Sequence, residues 1–379
     1  MFFDMNIEHK DINKFIPYGE ALRGFANQKF ISPSEIHRIL RERGILTFNS
    51  EKDYNVPILQ NLLLSPKEFD KVRYAFSSKE DNEKKISREL IWNDNASLFV
   101  PDILLVQVDD YMKKKLPTCK LERAIRFTKV DDNPNHLIAS FVLNRHDMNK
   151  SWYEQTNQFR GSVEFINEKG KGHIRITHTA PETKELAEQI VNEQIKQYKK
   201  KGTLPIDAKP KKIIISEFTN SNRFVFFYRL TTKLENDNFS CDNIKDISIK
   251  PKDNCALPEE IEWMDKMKKI IISGESLDHK FFMKEQKYHA SIELWSVDAV
   301  FSYKYKGENG QMTVSLGFPD YTSKKDNAEF EINISTLNNQ RNLDTKERRK
   351  LKSQLLSEMD KQKSIVYNKY LSYITSKQR

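Results

Sequence analysis

The chain has 379 residues, of which 38% are hydrophobic and 11% aromatic, so it can bury a core and is not intrinsically disordered. It contains no run of about 18 apolar residues and no signal-peptide pattern, so neither a membrane span nor secretion is expected. Its three scattered cysteines, Cys119, Cys241 and Cys255, favour a reducing cytoplasm over a disulfide framework.

The formal net charge of +9 is unevenly distributed. Residues 196–212 hold seven lysines and one acid, and residues 341–379 hold eleven Lys or Arg and four acids. Clustered positive charge is typical of a surface that meets a phosphate backbone or an acidic partner. A lysine-rich composition whose charged faces are merely solvated explains the same clusters equally well.

Two similar segments near the start predict helix N-termini. Ser32-Pro33-Ser34-Glu35 and Ser65-Pro66-Lys67-Glu68 each place a capping serine before a proline, with glutamate three residues after the serine. The apolar spacing predicts helices near 33–43, 54–64 and 66–76, followed by a charged stretch at 79–91. Residues 1–95 are therefore expected to form a mostly helical module.

From residue 97 the pattern favours strands. The first β-rich region is predicted to contain an apolar run at 98–106 and strands at 123–129, 137–143, 161–167 and 172–179. A capped helix at 182–201 should close this region, because its apolar residues recur at helical spacing before Lys199-Lys200-Lys201-Gly202. Residues 203–211 contain two prolines and are the best candidate for a linker.

The second β-rich region repeats this order on a larger scale. Its predicted elements are strands at 212–218 and 223–232, a loop at 235–257 with one short strand at 244–249, a helix at 258–269, strands at 289–305, 311–318 and 328–334, and a long helix at 344–375. We expect an α+β protein with three parts: a helical module (1–95) and two β-rich units (96–204 and 212–379), each closed by a basic amphipathic helix. The order of elements hints at an internal duplication.

The first helical pair contains a recognisable arrangement of apolar and basic residues. Its parts are Ile36, Ile39-Leu40, Gly44-Ile45, Lys52, Ile58-Leu59 and Leu62-Leu63. Over residues 32–64 this arrangement resembles the SAP, or helix-extended-loop-helix, module. Such modules are associated with DNA binding through basic residues and a helix N-terminus. The resemblance implies phosphate contacts from Arg38, Arg41, Arg43 and Lys52.

Signals for catalysis are weak. The chain has no phosphate-binding glycine loop, no nucleophile-elbow motif and no cysteine or histidine pair with zinc spacing. The sharpest enzymatic hypothesis is a nuclease that uses a divalent metal such as Mg²⁺ held by acids at strand ends. Its candidate acids are Asp102, Asp109 and Asp110, but the expected Asp/Glu-x-Lys partner strand is missing. Apart from this hypothesis, no metal or other cofactor is expected.

The sequence therefore predicts a nucleic-acid-binding subunit, with DNA favoured, of a larger cytoplasmic assembly, in a setting such as bacterial genome defence, antiviral defence or a mobile element. Its further candidate phosphate contacts are Lys199, Lys200, Lys201, Arg348, Arg349 and Lys350. A protein partner, or self-association through the C-terminal helix, is also expected. Two alternatives stay open: the metal-dependent nuclease, and a protein-interaction scaffold whose basic surfaces meet an acidic partner.

Overall fold

The computed structural model describes residues 15–28, 31–80, 82–92, 97–147, 149, 151–153, 155–168, 171–253, 255–274, 277 and 285–377. Within these ranges, helices at the N-terminus precede a large antiparallel sheet with further helices packed on it. The predicted α+β class and the N-terminal helical region are therefore confirmed.

The N-terminal region is a small helical module with its own core. Its helices are α1 (Gly19–Ala26), α2 (Pro33–Glu42), α3 (Lys52–Gln60) and α4 (Pro66–Glu80). Phe25, Leu40 and Leu59 are buried at its centre. The Gln28 side chain donates to the Tyr153 hydroxyl at 2.6 Å, and Tyr153 belongs to the same apolar cluster. The module thus packs against the turn that contains Tyr153.

Both predicted capping boxes are present. At the start of α2 the Glu35 backbone N–H donates to Ser32 Oγ at 3.4 Å, while the Ser32 backbone N–H donates to Glu35 Oε2 at 2.7 Å. At α4 the Ser65 backbone N–H donates to Glu68 Oε2 at 2.7 Å, and the Glu68 N–H donates to Ser65 Oγ at 3.3 Å. Each box satisfies backbone donors that a helix start would otherwise leave unpaired.

Loss of one of these caps should weaken the module measurably. We expect Ser65→Ala to lower the free energy of unfolding by about 1 kcal/mol, because α4 then loses the acceptor for its Glu68 N–H. Lys67→Ala, in the same turn but outside the capping box, should change it by less than about 0.5 kcal/mol. Chemical unfolding of the full chain measures both, and equal effects of the two variants would contradict the capping argument.

In the described part of the chain the sheet contains eleven strands in the order β2-β4-β5-β6-β1-β11-β10-β9-β7-β8, with β3 paired to β4 beside β2. The strands are β1 (Lys84–Ile91), β2 (Cys119–Leu121), β3 (Thr128–Val130), β4 (Asn133–His146), β5 (Thr156–Glu168), β6 (Lys171–His178), β7 (Phe239–Pro251), β8 (Ile270–Ser273), β9 (Ile292–Tyr305), β10 (Glu308–Gly317) and β11 (Glu331–Asn339). The α-helices after the module are α5 (Asp109–Lys115), α6 (Pro181–Lys200), α7 (Asn220–Thr232), α8 (Gln286–His289), α9 (Tyr321–Lys324) and α10 (Thr345–Lys377).

The two halves of the sheet meet at β1 and present their cores on opposite faces. Ile86 pairs with Ile176 of β6, and both lie in the core beneath α6. The preceding residue, Lys85, pairs with Ile332 of β11, which lies in the core beneath α10. Because successive residues of a strand point to opposite faces, α6 and α10 cover opposite sides of the sheet. Each half contains a three-stranded meander followed by a helix, β4-β5-β6-α6 and β9-β10-β11-α10, as the hint of duplication suggested.

A buried ion pair fastens α6 to β1, and a buried hydrogen bond to a charged pair fastens α10 to it. On the α6 side, Arg88 Nε donates to Glu329 Oε1 at 2.6 Å and Arg88 Nη1 donates to Glu188 Oε2 at 2.8 Å. On the α10 side, Ser87 Oγ donates to Asp360 Oδ1 at 2.6 Å, and Lys363 Nζ donates to the same carboxylate oxygen at 2.8 Å. Arg88, Asp360 and Lys363 are almost completely buried.

Two segments form different elements from those predicted. The charged stretch at 79–91 is not an extension of the helical module, because its second part is β1, the strand that joins the two halves of the sheet. The predicted strand at 223–232 is helix α7, capped by the Thr219 hydroxyl, which accepts from the Asn222 N–H at 3.2 Å. In α7, Phe226 and Phe227 are both buried while Tyr228 is exposed, a pattern that a two-residue strand period cannot produce.

The remaining differences are local. The predicted loop at 235–257 contains the full strand β7, and the predicted helix at 258–269 is a 3-10 helix (Glu259–Met264) followed by β8. Residues 212–218 contribute only an isolated bridge and a 3-10 turn, and the apolar run at 98–106 contains the 3-10 turn Pro101–Ile103. The predicted helices at 182–201 and 344–375 are confirmed as α6 and α10.

Candidate nucleic-acid interface

Of the four module residues predicted to contact phosphate, two are already bound to other residues of the module. Arg43 donates to both carboxylate oxygens of Glu68 at 2.6 Å and to the Leu63 carbonyl at 2.6 Å. The hydrogen bond from the Arg43 guanidinium is the largest influence on Glu68, and that from the Ser65 hydroxyl is the next. Together they hold the pKa of Glu68 well below its usual range. Lys52 Nζ donates to the Gln28 carbonyl at 2.8 Å. Arg43 thus connects the α2 end to α4, and Lys52 connects α3 to the residues after α1.

The other two module contacts are open to solvent. Arg38 and Arg41 are both exposed on α2. Glu42 lies one turn after Arg38, but its side chain accepts from Lys71 rather than from Arg38. The guanidinium groups of Arg38 and Arg41 are therefore available for contact, whereas Arg43 and Lys52 are already used.

The predicted cations of α6 and α10 lie at opposite ends of the sheet. Both helices run in the direction of β1. Along α10, Lys352 donates to Asn82 at 2.6 Å and Asn368 donates to Glu89 at 3.1 Å. Along α6, the Tyr198 hydroxyl donates to the Leu98 carbonyl, which follows β1, at 2.9 Å. A helix of 20 residues is about 30 Å long, so the last turn of α6 is far from the first turn of α10.

The α6 end is an exposed cationic surface. Lys200 and Lys201 are exposed and Lys199 is half-buried. Lys201 Nζ lies 3.0 Å from Asp102 Oδ2, in an ion pair whose groups are both accessible to solvent. Such exposed pairs contribute about 0–1 kcal/mol and exchange readily for another anion.

The α10 start is exposed in part. Arg349 and Lys350 are exposed, and Arg348 is half-buried near Tyr303. Further along, the apolar residues of α10, among them Leu355 and Met359, are buried against the chain's own sheet. Self-association through this apolar stripe would have to displace that core. Contact through the polar face of the helix stays a prediction.

The three candidate acids do not lie together at one site. Asp102 is in the 3-10 turn with Lys201 as its partner, whereas Asp109 and Asp110 form the exposed first turn of α5. Among the residues that the structure describes, no group of three or more His, Cys, Asp or Glu side chains is placed to hold a metal ion. A nuclease site therefore stays a prediction with no observation in its favour.

A further cationic surface was missed by the sequence reasoning. Residues 113–129, here called the edge strip, contain seven cations and one acid, Glu122. The cations are Lys113, Lys114, Lys115, Lys120, Arg123, Arg126 and Lys129, and all are exposed. No carboxylate within the described ranges pairs with any of them. A sliding charge count would have found this segment, because its net charge of +6 equals that of residues 196–212.

The edge strip is fixed to the outer edge of the sheet. β2 and β3 both pair with β4, from Cys119 opposite Arg145 to Lys129 opposite Leu137. Between them, the Phe127 N–H donates to the Leu104 carbonyl at 2.8 Å. The Phe127 side chain is buried in the α6 core. The cations are thus carried by an anchored backbone.

The edge strip continues into the α6 end. Lys129 Nζ lies 4.1 Å from the centre of the Phe99 ring, and Asp102, three residues later, pairs with Lys201. Leu105, three residues further on, forms a bridge with Arg126. The lysines of α6 and the cations of the strip are therefore neighbours across the short segment 99–105.

The module also exposes apolar side chains. Phe48 is 111% exposed and Leu46 is 75% exposed in the loop between α2 and α3, while Leu63 after α3 is 76% exposed. Large exposed apolar side chains on a small module are typical of a contact surface for another protein.

Comparisons with known proteins give one family match. The family described as "GAPS4b protein N-terminal domain" matches residues 20–82, the region of helices α1 to α4. No curated protein matches the chain. The structures similar to it include the crystal structure of DynU16, a protein in the dynemicin biosynthetic locus, with 9% identity, a TM-score of 0.15, and coverage of 76% of this chain and 98% of that one. No helix in the described ranges has the length and apolar composition of a membrane span.

Proposed function

We propose that the protein is a nucleic-acid-binding component of a bacterial defence system. The match of the helical module to the GAPS4b N-terminal domain supports the defence setting, because the name is that of a defence-associated family. Cytoplasmic location and membership of a larger assembly belong to the same proposal. In this proposal the chain holds the phosphate backbone rather than reacting with it.

One observation carries the binding proposal: the edge strip and the α6 end form a continuous surface of exposed cations. Within it the acids are Glu122 in the strip and Asp102 beside Lys201, while the exposed Asp109, Asp110, Asp131 and Asp132 lie just beyond the two ends of the strip. Cations without carboxylate partners gain most from a phosphate backbone, because binding releases the counterions condensed on it. The predicted contacts at Arg38, Arg41, Arg349 and Lys350 lie elsewhere on the chain and would add separate contacts.

Charge reversal at the α6 end tests the proposal. We expect wild-type protein to bind labelled DNA or RNA with an affinity that falls steeply with salt, and Lys199→Glu/Lys200→Glu/Lys201→Glu to bind much more weakly at 50 mM salt. The control is Lys233→Glu/Lys268→Glu/Lys269→Glu, which makes the same charge change at exposed lysines of the other half. Absence of wild-type binding at low salt would overturn the proposal.

A second candidate function is a protein-interaction scaffold, favoured by the exposed Leu46, Phe48 and Leu63. In this reading the module contacts a protein and the basic surfaces meet an acidic region of it. Phe48→Ser should then abolish the association of a co-expressed partner, with no effect on nucleic-acid affinity. A charge-reversal variant that loses nucleic-acid binding but keeps its protein partner would favour the first function.

A further inference from the structure

We infer that the edge strip binds double-stranded DNA of B form by entering a groove between its two phosphate backbones. The inference rests on the proposed function and goes beyond it, since it names the kind of nucleic acid and the way in which it is held. It follows from the side of the sheet on which each cation lies.

The cations of the strip point to both sides of the sheet. Lys120 pairs with Asn144 in β4, next to the buried Leu143, so both Lys120 and Asn144 face away from the α6 core. Arg126 also faces away from this core, because its neighbour Phe127 is buried inside it. We call Lys120 and Arg126 the far-side pair.

Other cations lie on the α6 side of the same edge. Lys129 pairs with Leu137, which is fully buried in the α6 core, and lies over the Phe99 ring. Lys200 is exposed on the last turn of α6. We call Lys129 and Lys200 the near-side pair. The edge is therefore a ridge with positive charge on both flanks.

A ridge of this shape matches a groove rather than a single backbone. The major groove of B-form DNA is about 12 Å wide, admits a two-stranded β-ribbon and has a row of phosphates along each side. The ridge extends from Leu137 to Arg145 of β4, eight residue steps, or about 27 Å. A single strand offers one row of phosphates and would need only one flank.

The composition of the ridge also argues against single strands. Proteins that bind single-stranded nucleic acid stack its bases on exposed aromatic rings. In the described part of the chain, the most exposed aromatic side chains are Tyr18, Phe48, Tyr54, Tyr228 and Trp263, none of which is in the strip or α6. The rings of the strip region are covered: Phe127 is buried, and the half-buried Tyr111 donates to Glu185. A-form RNA is disfavoured because its major groove is too narrow.

Lysines and arginines on an edge strand have another common purpose, which is to prevent sheets from joining edge to edge. That purpose requires charge but no nucleic acid, so it predicts that removal of the cations promotes self-association and leaves DNA affinity unchanged. Duplex binding instead predicts that removal of the cations lowers DNA affinity and does not promote self-association.

The test neutralises the two flanks separately in the full chain. The variants are Lys120→Gln/Arg126→Gln for the far side, Lys129→Gln/Lys200→Gln for the near side, and the remote control Lys268→Gln/Lys269→Gln, each removing two charges. The probes are one duplex DNA, its single strand and the corresponding duplex RNA, titrated between 50 and 200 mM salt. Thermal unfolding midpoints and sedimentation show whether each variant is folded and monodisperse.

We expect duplex DNA to bind more tightly than single-stranded DNA or duplex RNA. Each flank variant should make the slope of log K against log salt shallower by about 1.8 for duplex DNA, so that the wild-type advantage grows about tenfold as salt falls from 200 to 50 mM. The control should keep the wild-type slope. The groove inference would be overturned if only one of the two flank variants had a shallower salt slope. It would also be overturned if single-stranded DNA bound as tightly as the duplex.

The outcome also separates the inference from the function on which it rests. If the wild type binds nucleic acid and both flank variants bind it equally well, the ridge is not the binding site, but the proposed function still stands. Absence of wild-type binding at 50 mM salt would refute both.

Discussion

Arg88→Met is expected to lower the free energy of unfolding by about 3–5 kcal/mol. The Arg88 side chain is buried and donates to Glu188 of α6 and to Glu329, which precedes β11. Burial alone would raise the pKa of Glu188, but its hydrogen bond with Arg88 outweighs this effect and the pKa lies below its usual value. Removal of the guanidinium leaves the buried Glu329 and the half-buried Glu188 without their shared partner.

The size of this effect distinguishes a buried pair from an exposed one. The matched control is Arg23→Met, because Arg23 pairs with Glu20 at 3.4 Å on the exposed face of α1 and should contribute less than about 0.5 kcal/mol. Lys212, with its Nζ 3.7 Å from Glu329 Oε2, still offsets part of the charge in the Arg88 variant, so we expect the lower part of the range. Chemical unfolding followed by tryptophan fluorescence measures the effect. A loss below about 1 kcal/mol would contradict the ion-pair argument.

Asp360→Leu should have an effect of similar size on the other side of β1. It leaves Lys363 buried without its carboxylate partner, at a cost of about 3–5 kcal/mol. The double variant Asp360→Leu/Lys363→Met removes both charges and should recover part of this loss, because Arg175 and Lys85 keep their positive charges beside the site. A double variant that is no more stable than the single one would show that the two charges are not coupled.

The same pair should make stability depend on pH. Burial, the largest influence, would raise the pKa of Asp360, but Lys363, Arg175 and Lys85 outweigh it and hold the pKa at about 2. An unfolded aspartate has a pKa of about 3.9, so the pair stabilises the fold fully above about pH 4 and loses its effect as the pH falls towards 2. We expect wild-type stability to decline more steeply across this interval than that of the double variant. Parallel declines would contradict the assignment to Asp360.

Several elements could be predicted from the sequence because their signals are local. The Ser-Pro-x-Glu segments identify the starts of α2 and α4 correctly, since the serine and the glutamate of each capping box are three residues apart. Helices α6 and α10 follow from their apolar spacing. These signals depend on neighbours within one or two turns and need no knowledge of the rest of the fold.

Predictions failed where packing overrides the local pattern. The run Phe224-Val225-Phe226-Phe227-Tyr228 has high strand propensity, yet it forms α7 because the core beneath α10 buries its side chains at helical spacing. The stretch 84–91 belongs to a charged segment that the sequence assigns to the helical module, yet it is the central strand β1. Arg88 is tolerated there only because Glu188 and Glu329, distant in sequence, neutralise it.

The candidate site shows the same division. Charge counts in the sequence identified the lysines of α6, and the same count identifies the edge strip. The availability of each charge depends on long-range contacts: Arg43 is occupied by Glu68, 25 residues away, and Lys201 meets Asp102, 99 residues away. The α+β class, the helix starts and the clustering of charge were therefore determined by the sequence itself, because capping, periodicity and composition act locally. The tertiary structure decided which cations are free and on which side of the sheet they lie, because strand pairing and ion pairing join residues that are far apart in the chain.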